Sequence, residues 1–340
     1  MARPIILMMR AMQLQQIASI DSSPLRDVEI PDPQPGAGEL RVRVKCCAIC
    51  RTDLHVIEGD IPSMKLPIIP GHQVVGIVDQ LGPGCTRFSE GDRVGIAWLR
   101  HTDGTCTFCA SGRENLCADS RYTGWHADGG YAEYALVPEA FAYAIPAVFT
   151  DVEAAPLLCA GIIGYRAMLR SQLRNGGKLA LLGFGSSAHV VQLLALHRGC
   201  KVYVVTRGEP HQQFARDLGA TWAGERAEDM PAKVDSAILF APVGALVQPS
   251  LGILDRGGTL ALAGIHMSPI PELDYDKWLF QERDIHPVTA NTREDGRNLL
   301  REAAEVGIKP HVVTYPLHEA NRALQDLKAG RFDGTGVLEC

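Results

Sequence analysis

The segment GGKLALLGFGSSAHVVQLLALHRGCKVYVVTR, residues 176–207, constrains this chain most. An apolar run ends in a glycine turn, a helix-length apolar stretch follows, and a second apolar run closes the unit. Strand, turn, helix and strand in that order form a βαβ unit, whose parallel strands need cover on both faces of their sheet. KVDSAILFAP and RGGTLALAGIH add two more short apolar strands. This half is therefore expected to be α/β, with a doubly wound parallel sheet. Its turn, GFGSSA from Gly183 to Ala188, fits G-x-G-x-x-A between a strand and a helix, the context that gives the pattern meaning. Gly183 permits the tight turn, Gly185 lets the backbone approach a pyrophosphate, and Ala188 allows helix to pack closely on strand. Ser186 and Ser187 open the helix whose N-terminus would face the phosphates.

The coenzyme type turns on the end of the next strand. An acidic residue there would accept hydrogen bonds from the ribose hydroxyls of NAD, but this chain has Thr206 followed by Arg207. A hydroxyl and a planar guanidinium fork suit a 2′-phosphate, so NADP(H) is expected over NAD(H), with nearby Glu209 as the counter-argument.

At 340 residues the chain is long enough for two domains. The first half, from about Arg10 to Thr150, reads as short strands broken by turns, such as ELRVRVKCCAI and GHQVVGIVDQLG, and is expected to be mostly β. Apolar content of 46% with 21% charge allows a sizeable core, and a net charge of −6 leaves no electrostatic footprint for nucleic acid. No apolar run is long enough to span a membrane. The opening MARPIILMMR lacks a small-residue cleavage site and reads as a disordered extension before a first strand near Met9. Ten cysteines without a secretory signal argue for a reducing compartment, and cytoplasm is the expected location.

Some of those cysteines carry chemistry. Cys50 and His72 lie in CCAICRTDLHVIEGDIPSMKLPIIPGHQVVG, and Cys159 lies far downstream in PLLCAG. Together they would make a Cys2His shell with one tetrahedral position open, the arrangement of catalytic zinc. WLRHTDGTCTFCASGRENLC adds Cys106, Cys109 and Cys117, spaced C-x2-C-x7-C. Close-spaced cysteines in a chain without disulfides point to metal.

With CRTDLH, GHQVVG, the cysteine loop after Trp98, CAGIIGY and LLGFGSSAH in this order and spacing, the chain resembles the zinc-dependent alcohol dehydrogenases of the medium-chain dehydrogenase/reductase superfamily, in particular the cinnamyl-alcohol-dehydrogenase-like bacterial branch. The resemblance implies a GroES-like, β-rich catalytic domain (1–158 and 291–340) and a Rossmann coenzyme domain (159–290), the tail returning to the first. It implies two zinc ions. The catalytic ion would sit on Cys50, His72 and Cys159, as a Lewis acid for a carbonyl or alcohol oxygen. The structural ion would sit on Cys106, Cys109 and Cys117 with Asp103 where the family has a fourth cysteine, His101 being the substitute. By the same resemblance Thr52 touches the substrate oxygen, His55 ends a proton relay, and Asp53 orients His72. Trp98 lines the substrate pocket, with Ile61 a weaker candidate.

Two positions depart from the family pattern: Gln73 replaces a glutamate after the ligand histidine, and Ile163 replaces a threonine and would pack against the nicotinamide. The expected substrates are benzylic, cinnamyl or medium aliphatic primary alcohols and their aldehydes. The rival readings are a metal-independent enone or quinone reductase on the same fold and a non-catalytic dinucleotide-binding zinc protein. The resemblance implies a homodimer, joined through the strand GGTLALAGI, or a homotetramer.

Overall fold

A computed structural model describes residues 7–340, so the expectation for the leading segment falls on residues outside those described. The chain forms two compact units that part between Cys159 and Ala160 and between Asn291 and Thr292. Residues 305–308 also belong to the second unit.

The first unit is built on strands β1 (Met8–Leu14), β2 (Leu25–Pro31), β3 (Glu39–Ala48), β4 (Val74–Leu81), β5 (Arg93–Ile96), β6 (Leu99–His101), β7 (Arg121–Tyr122), β8 (Tyr134–Pro138) and β9 (Ala142–Ala144). Helices α1 (Arg51–Glu58), α2 (Thr107–Ala110) and α3 (Asp151–Ala154) interrupt them. Strand β3 shows why its sequence becomes sheet. Leu40, Val42 and Val44 alternate with Arg41, Arg43 and Lys45, and the apolar set is buried. It bonds β4 on one side and β8 on the other. Its end delivers Cys50, at the N-terminal boundary of α1.

The second unit alternates helix and strand: α4 (Ala160–Arg170), β10 (Lys178–Leu182), α5 (Ser186–His197), β11 (Lys201–Val205), α6 (Glu209–Asp217), β12 (Trp222–Gly224), β13 (Val234–Leu239), α7 (Val247–Ile253), β14 (Leu254–Leu262), α8 (Tyr275–Trp278) and β15 (Asp284–Pro287). The six strands pair in parallel in the order β12-β11-β10-β13-β14-β15. Order reverses at β10, which places the glycine turn after β10 at the switch point where such sheets bind ligands.

Helix α9 (Arg293–Val306), β16 (Val312–Pro316), α10 (Ala320–Ala329) and β17 (Thr335–Glu339) complete the chain. Strand β17 pairs antiparallel with β3, so the C-terminus closes the first unit's sheet.

DVEAAPLLCAGIIGYRAMLRS, which carries apolar residues at helical spacing, divides into α3, a 3-10 turn Ala155–Leu158 and α4. Pro156 lacks an N–H for a continuous helix, and Cys159 adopts φ −137° and ψ −65°, outside helical geometry. One expectation is corrected: the strand GGTLALAGI is not a free edge through which two copies could join, because β13 and β15 occupy both sides of β14. The exposed edge on that side of the sheet is β15. No single helix among the described residues is long and apolar enough to cross a membrane.

Candidate active site and metal clusters

The ligand atoms of Cys50, His72 and Cys159 all lie within 4.8 Å of one another. Each arrives by a different device. Cys50 follows β3, and Cys159 sits at the break between the 3-10 turn and α4. His72 follows Gly71, whose φ of +95° suits glycine and whose Cβ would strike the Tyr131 ring at 2.4 Å. Only a residue without a side chain lets the backbone approach Tyr131 there.

These donors fit a zinc ion. His72 Nε2 is buried without a hydrogen-bond partner, and a buried polar atom left so is costly unless something binds it. Its other nitrogen, Nδ1, lies 3.0 Å from Asp53 Oδ1, which leaves Nε2 as the ligand atom. The Cys159 thiol donates to Cys50 and, with His72, holds Cys50 well below the ordinary thiol range; Cys159 itself is raised by the same contact and by burial. Two soft sulfurs and one imidazole nitrogen at this spacing match a tetrahedral shell with a fourth position open.

Asp53 is the hub behind the cluster and is 1% exposed. Its Oδ2 accepts the backbone N–H of Cys50 at 2.8 Å and the Tyr131 hydroxyl at 2.9 Å, while Oδ1 serves His72. One carboxylate thus caps α1, orients a ligand and anchors a tyrosine. Thr52 is buried beside it, its Oγ1 3.7 Å from Cys50 Sγ. His55 stands one turn later on α1, and its Nδ1 lies 2.8 Å from Asp60 Oδ2.

The second cluster brings Asp103, Cys106, Cys109 and Cys117 within the same 4.8 Å limit. His101 is not part of it, so the geometry favours Asp103. Asp103 Oδ1 accepts the backbone N–H groups of Thr105 at 2.8 Å and Cys106 at 2.9 Å, and these bonds hold the carboxyl well below its ordinary range. The Cys109 and Cys117 side chains also hydrogen-bond this carboxyl, which places all four donors face to face. Burial pushes the Cys109 thiol up to about 12, a cost that a bound cation would reverse by stabilising the thiolate. Glu114 fastens the loop to α9: Arg293 Nε lies 3.0 Å from both of its carboxylate oxygens, and a terminal guanidinium nitrogen lies 2.6 Å from Oε2.

In the second unit Gly183 has φ +90°, and a Cβ there would meet Ala241 N at 3.0 Å. Gly185 precedes α5, and the space where its Cβ would point is open. Ser186 and Ser187 form the first turn without an acidic residue, and Ala188 is fully buried. Thr206 and exposed Arg207 follow β11, while Glu209 on α6 is ion-paired to Arg216. Ile163 is half-buried on α4.

Residues 36–147 match the alcohol dehydrogenase GroES-like domain, and residues 185–305 match the zinc-binding dehydrogenase domain. The chain is 52% identical over 335 residues to the probable alcohol dehydrogenase AdhA of Mycobacterium tuberculosis, an alignment covering 97% of each. It belongs to the zinc-binding alcohol dehydrogenases of the medium-chain dehydrogenase/reductase superfamily. Among solved structures, a cinnamyl alcohol dehydrogenase of Sorghum bicolor superposes with TM-score 0.88 at 26% identity, covering 98% of both chains. The cobalt- and zinc-bound thermostable alcohol dehydrogenase of Pyrobaculum aerophilum gives 0.89 at 27%, covering 98% of this chain and 100% of that one.

As a zinc-binding alcohol dehydrogenase, the chain is an oxidoreductase that uses zinc and a nicotinamide coenzyme. Its variant Gln73 is fully buried, and its amide donates to the Ile49 carbonyl at 3.3 Å. The amide thereby helps hold the chain that leads into Cys50. Sequence reasoning missed Tyr131, because DGGYAEY carries no local sign that its tyrosine reaches Asp53, 78 residues away.

Proposed function

We propose that this alcohol dehydrogenase interconverts aromatic, allylic or medium aliphatic primary alcohols and their aldehydes, with two zinc ions per chain and NADP(H) as the preferred coenzyme. The observation that carries the proposal is the buried, unpartnered His72 Nε2 beside two cysteine sulfurs. Cys50, His72 and Cys159 hold the catalytic ion, and Asp103, Cys106, Cys109 and Cys117 hold the structural one. When bound, zinc supplies a Lewis acid for the substrate oxygen and the nicotinamide supplies or accepts hydride.

The chain's own residues supply the rest. Thr52 Oγ1, next to Cys50, holds the proton exchanged with the substrate hydroxyl, and His55 passes it outward. Asp53 keeps Nε2 of His72 directed at the cluster. Gly183, Gly185, Ser186, Ser187 and Ala188 form the pyrophosphate turn, and Ile163 supplies apolar surface for the nicotinamide. Thr206 and Arg207 take the 2′-phosphate; the ion pair of Glu209 with Arg216 supports this by occupying the nearest carboxylate. Trp98 and Ile61 bound the substrate. The protein acts as a homodimer or homotetramer in the cytoplasm.

Incubation of zinc-loaded protein with cinnamaldehyde and NADPH, beside a parallel NADH sample, tests the proposal by product analysis. Cinnamyl alcohol, formed faster with NADPH, is expected. The saturated aldehyde would replace carbonyl reduction with conjugate reduction, and faster turnover with NADH would remove the 2′-phosphate role from Arg207.

A further inference from the structure

The second unit holds a cavity that is separate from the glycine turn. About 720 Å³ in volume, it lies between the segment 227–233, helix α7 and helix α8. Its walls reach the amino-terminal ends of the sheet strands, since Lys233 directly precedes β13 and Ile253 directly precedes β14. Doubly wound sheets bind their coenzymes at the opposite, carboxyl ends, where the turn from Gly183 to Ala188 follows β10. The volume falls within the range of about 300–1,000 Å³ usual for small-molecule sites.

The walls are held in place. Ile253 belongs to the buried core of the second unit, and Met230, Ala232 and Trp278 pack on that core. Gln248 on α7 donates to the Glu272 carbonyl at 2.8 Å, which ties α7 to the segment before α8. Asp274 caps α8 by accepting the backbone N–H of Lys277 at 3.1 Å. Gly252 completes the fit, because a Cβ there would lie 3.3 Å from the Trp278 ring.

Two lysines line the cavity. Lys233 Nζ donates to the Gly252 carbonyl, and the Lys277 ammonium lies 4.4 Å from the centroid of the Trp278 ring. Among the described residues neither has a carboxylate partner, and Glu228, the acidic residue of the lining, lies 3.6 Å from Arg226 instead. The negative end of α7 accounts for the position of Lys233, while Lys277 meets a π face. Two cations without counter-charge, beside Met230, Pro231, Pro249 and Ile253, give the cavity a charged part and an apolar remainder.

We propose that this cavity is a binding site for a small organic carboxylate with an apolar body. Lys233 and Lys277 take the carboxylate, and Met230, Pro231, Pro249 and Ile253 take the body. The site belongs wholly to the second unit and stands whether or not the three-ligand cluster is catalytic. Charge-assisted hydrogen bonds to two ammonium groups give the preference for an anion, so a neutral amide of the same shape is a poor substitute.

The test is titration calorimetry of the zinc-loaded, coenzyme-free protein with octanoate, beside octanamide, in wild type and in the double variant Lys233→Gln, Lys277→Gln. Octanoate is expected to bind wild type with a dissociation constant at or below about 1 mM, and octanamide at least about tenfold more weakly. The double variant should keep its thermal midpoint and lose about tenfold in octanoate affinity. Absence of octanoate binding to wild type at millimolar concentration overturns the proposal. So does an octanoate affinity unchanged in the double variant, which places the ligand elsewhere, the three-ligand cluster included. Equal affinity for octanamide also overturns it, by removing charge from the recognition. Should the double variant not fold, Ala232→Trp, which fills the cavity, makes the same decision: octanoate binding lost supports the site, and binding retained overturns it.

Discussion

The two metal clusters differ in how the chain builds them. The four donors of one lie between residues 103 and 117, in a loop that closes on itself. The three donors of the other come from positions 50, 72 and 159. The first needs little besides its loop, because closing short segments costs little chain entropy. The second exists only after β3, the Gly71 turn and the break at Cys159 have been placed. Donor number differs as well: four donors make a closed shell suited to stability, and three leave a position for substrate. Sequence separation thus tells which cluster depends on the fold, and donor count is the ground on which the proposed function gives the three-donor cluster the chemistry.

Breaking each cluster in turn should separate these roles. Replacing Cys159 with serine is expected to remove one zinc per chain and lower turnover by about three orders of magnitude or more, with little change in thermal midpoint. Zinc analysis beside steady-state kinetics checks this, and near-normal turnover in a variant lacking that zinc would end the catalytic assignment. The counterpart Cys109→Ser should also lose one zinc, but its first effect is a thermal midpoint lower by roughly 10 °C, with residual activity while the fold lasts. Loss of activity without loss of stability would reverse the roles given to the clusters.

A milder change sharpens the comparison at the supporting carboxylate. Asp53→Asn should reduce zinc affinity or turnover by about 10- to 100-fold, since it removes the charge behind His72 while keeping the size of the side chain. Competition with a chelator measures it, and the loop cluster should hold its zinc unchanged.

The smallest effect concerns the anchor of the loop cluster. Burial raises the Glu114 pKa, but the hydrogen bonds from Arg293 outweigh it and leave the carboxyl below its ordinary value of 4.5. A folded value below the unfolded one contributes stability above the unfolded pKa, and that contribution is lost as pH falls through the folded value. Glu114→Gln should therefore cost about 1–3 kcal/mol near neutral pH and progressively less in acid. Urea unfolding across that range reads the trend; a deficit independent of pH would mean that packing, not charge, holds the loop.

Much of this molecule was legible as local pattern. Alternation in ELRVRVKCCAI announces β3, and GFGSSA after an apolar run announces the βαβ turn, because strand period and turn chemistry are properties of neighbouring residues. The spacing of Cys106, Cys109 and Cys117 marked its loop for the same reason. Helical periodicity runs across Cys159 and does not reveal the break there, which one proline and one non-helical residue make.

Residue types and spacings alone determined the α/β class of the second half, the glycine turn and the loop of clustered cysteines. Tertiary structure decided the rest: that Asp53 serves Cys50, His72 and Tyr131 together, and that Asp103 rather than His101 joins the cysteines. Local pattern records which backbone shape a segment prefers. Which side chains meet is settled only when distant segments pack, and the burial that results turns an ordinary histidine nitrogen into one that needs a ligand.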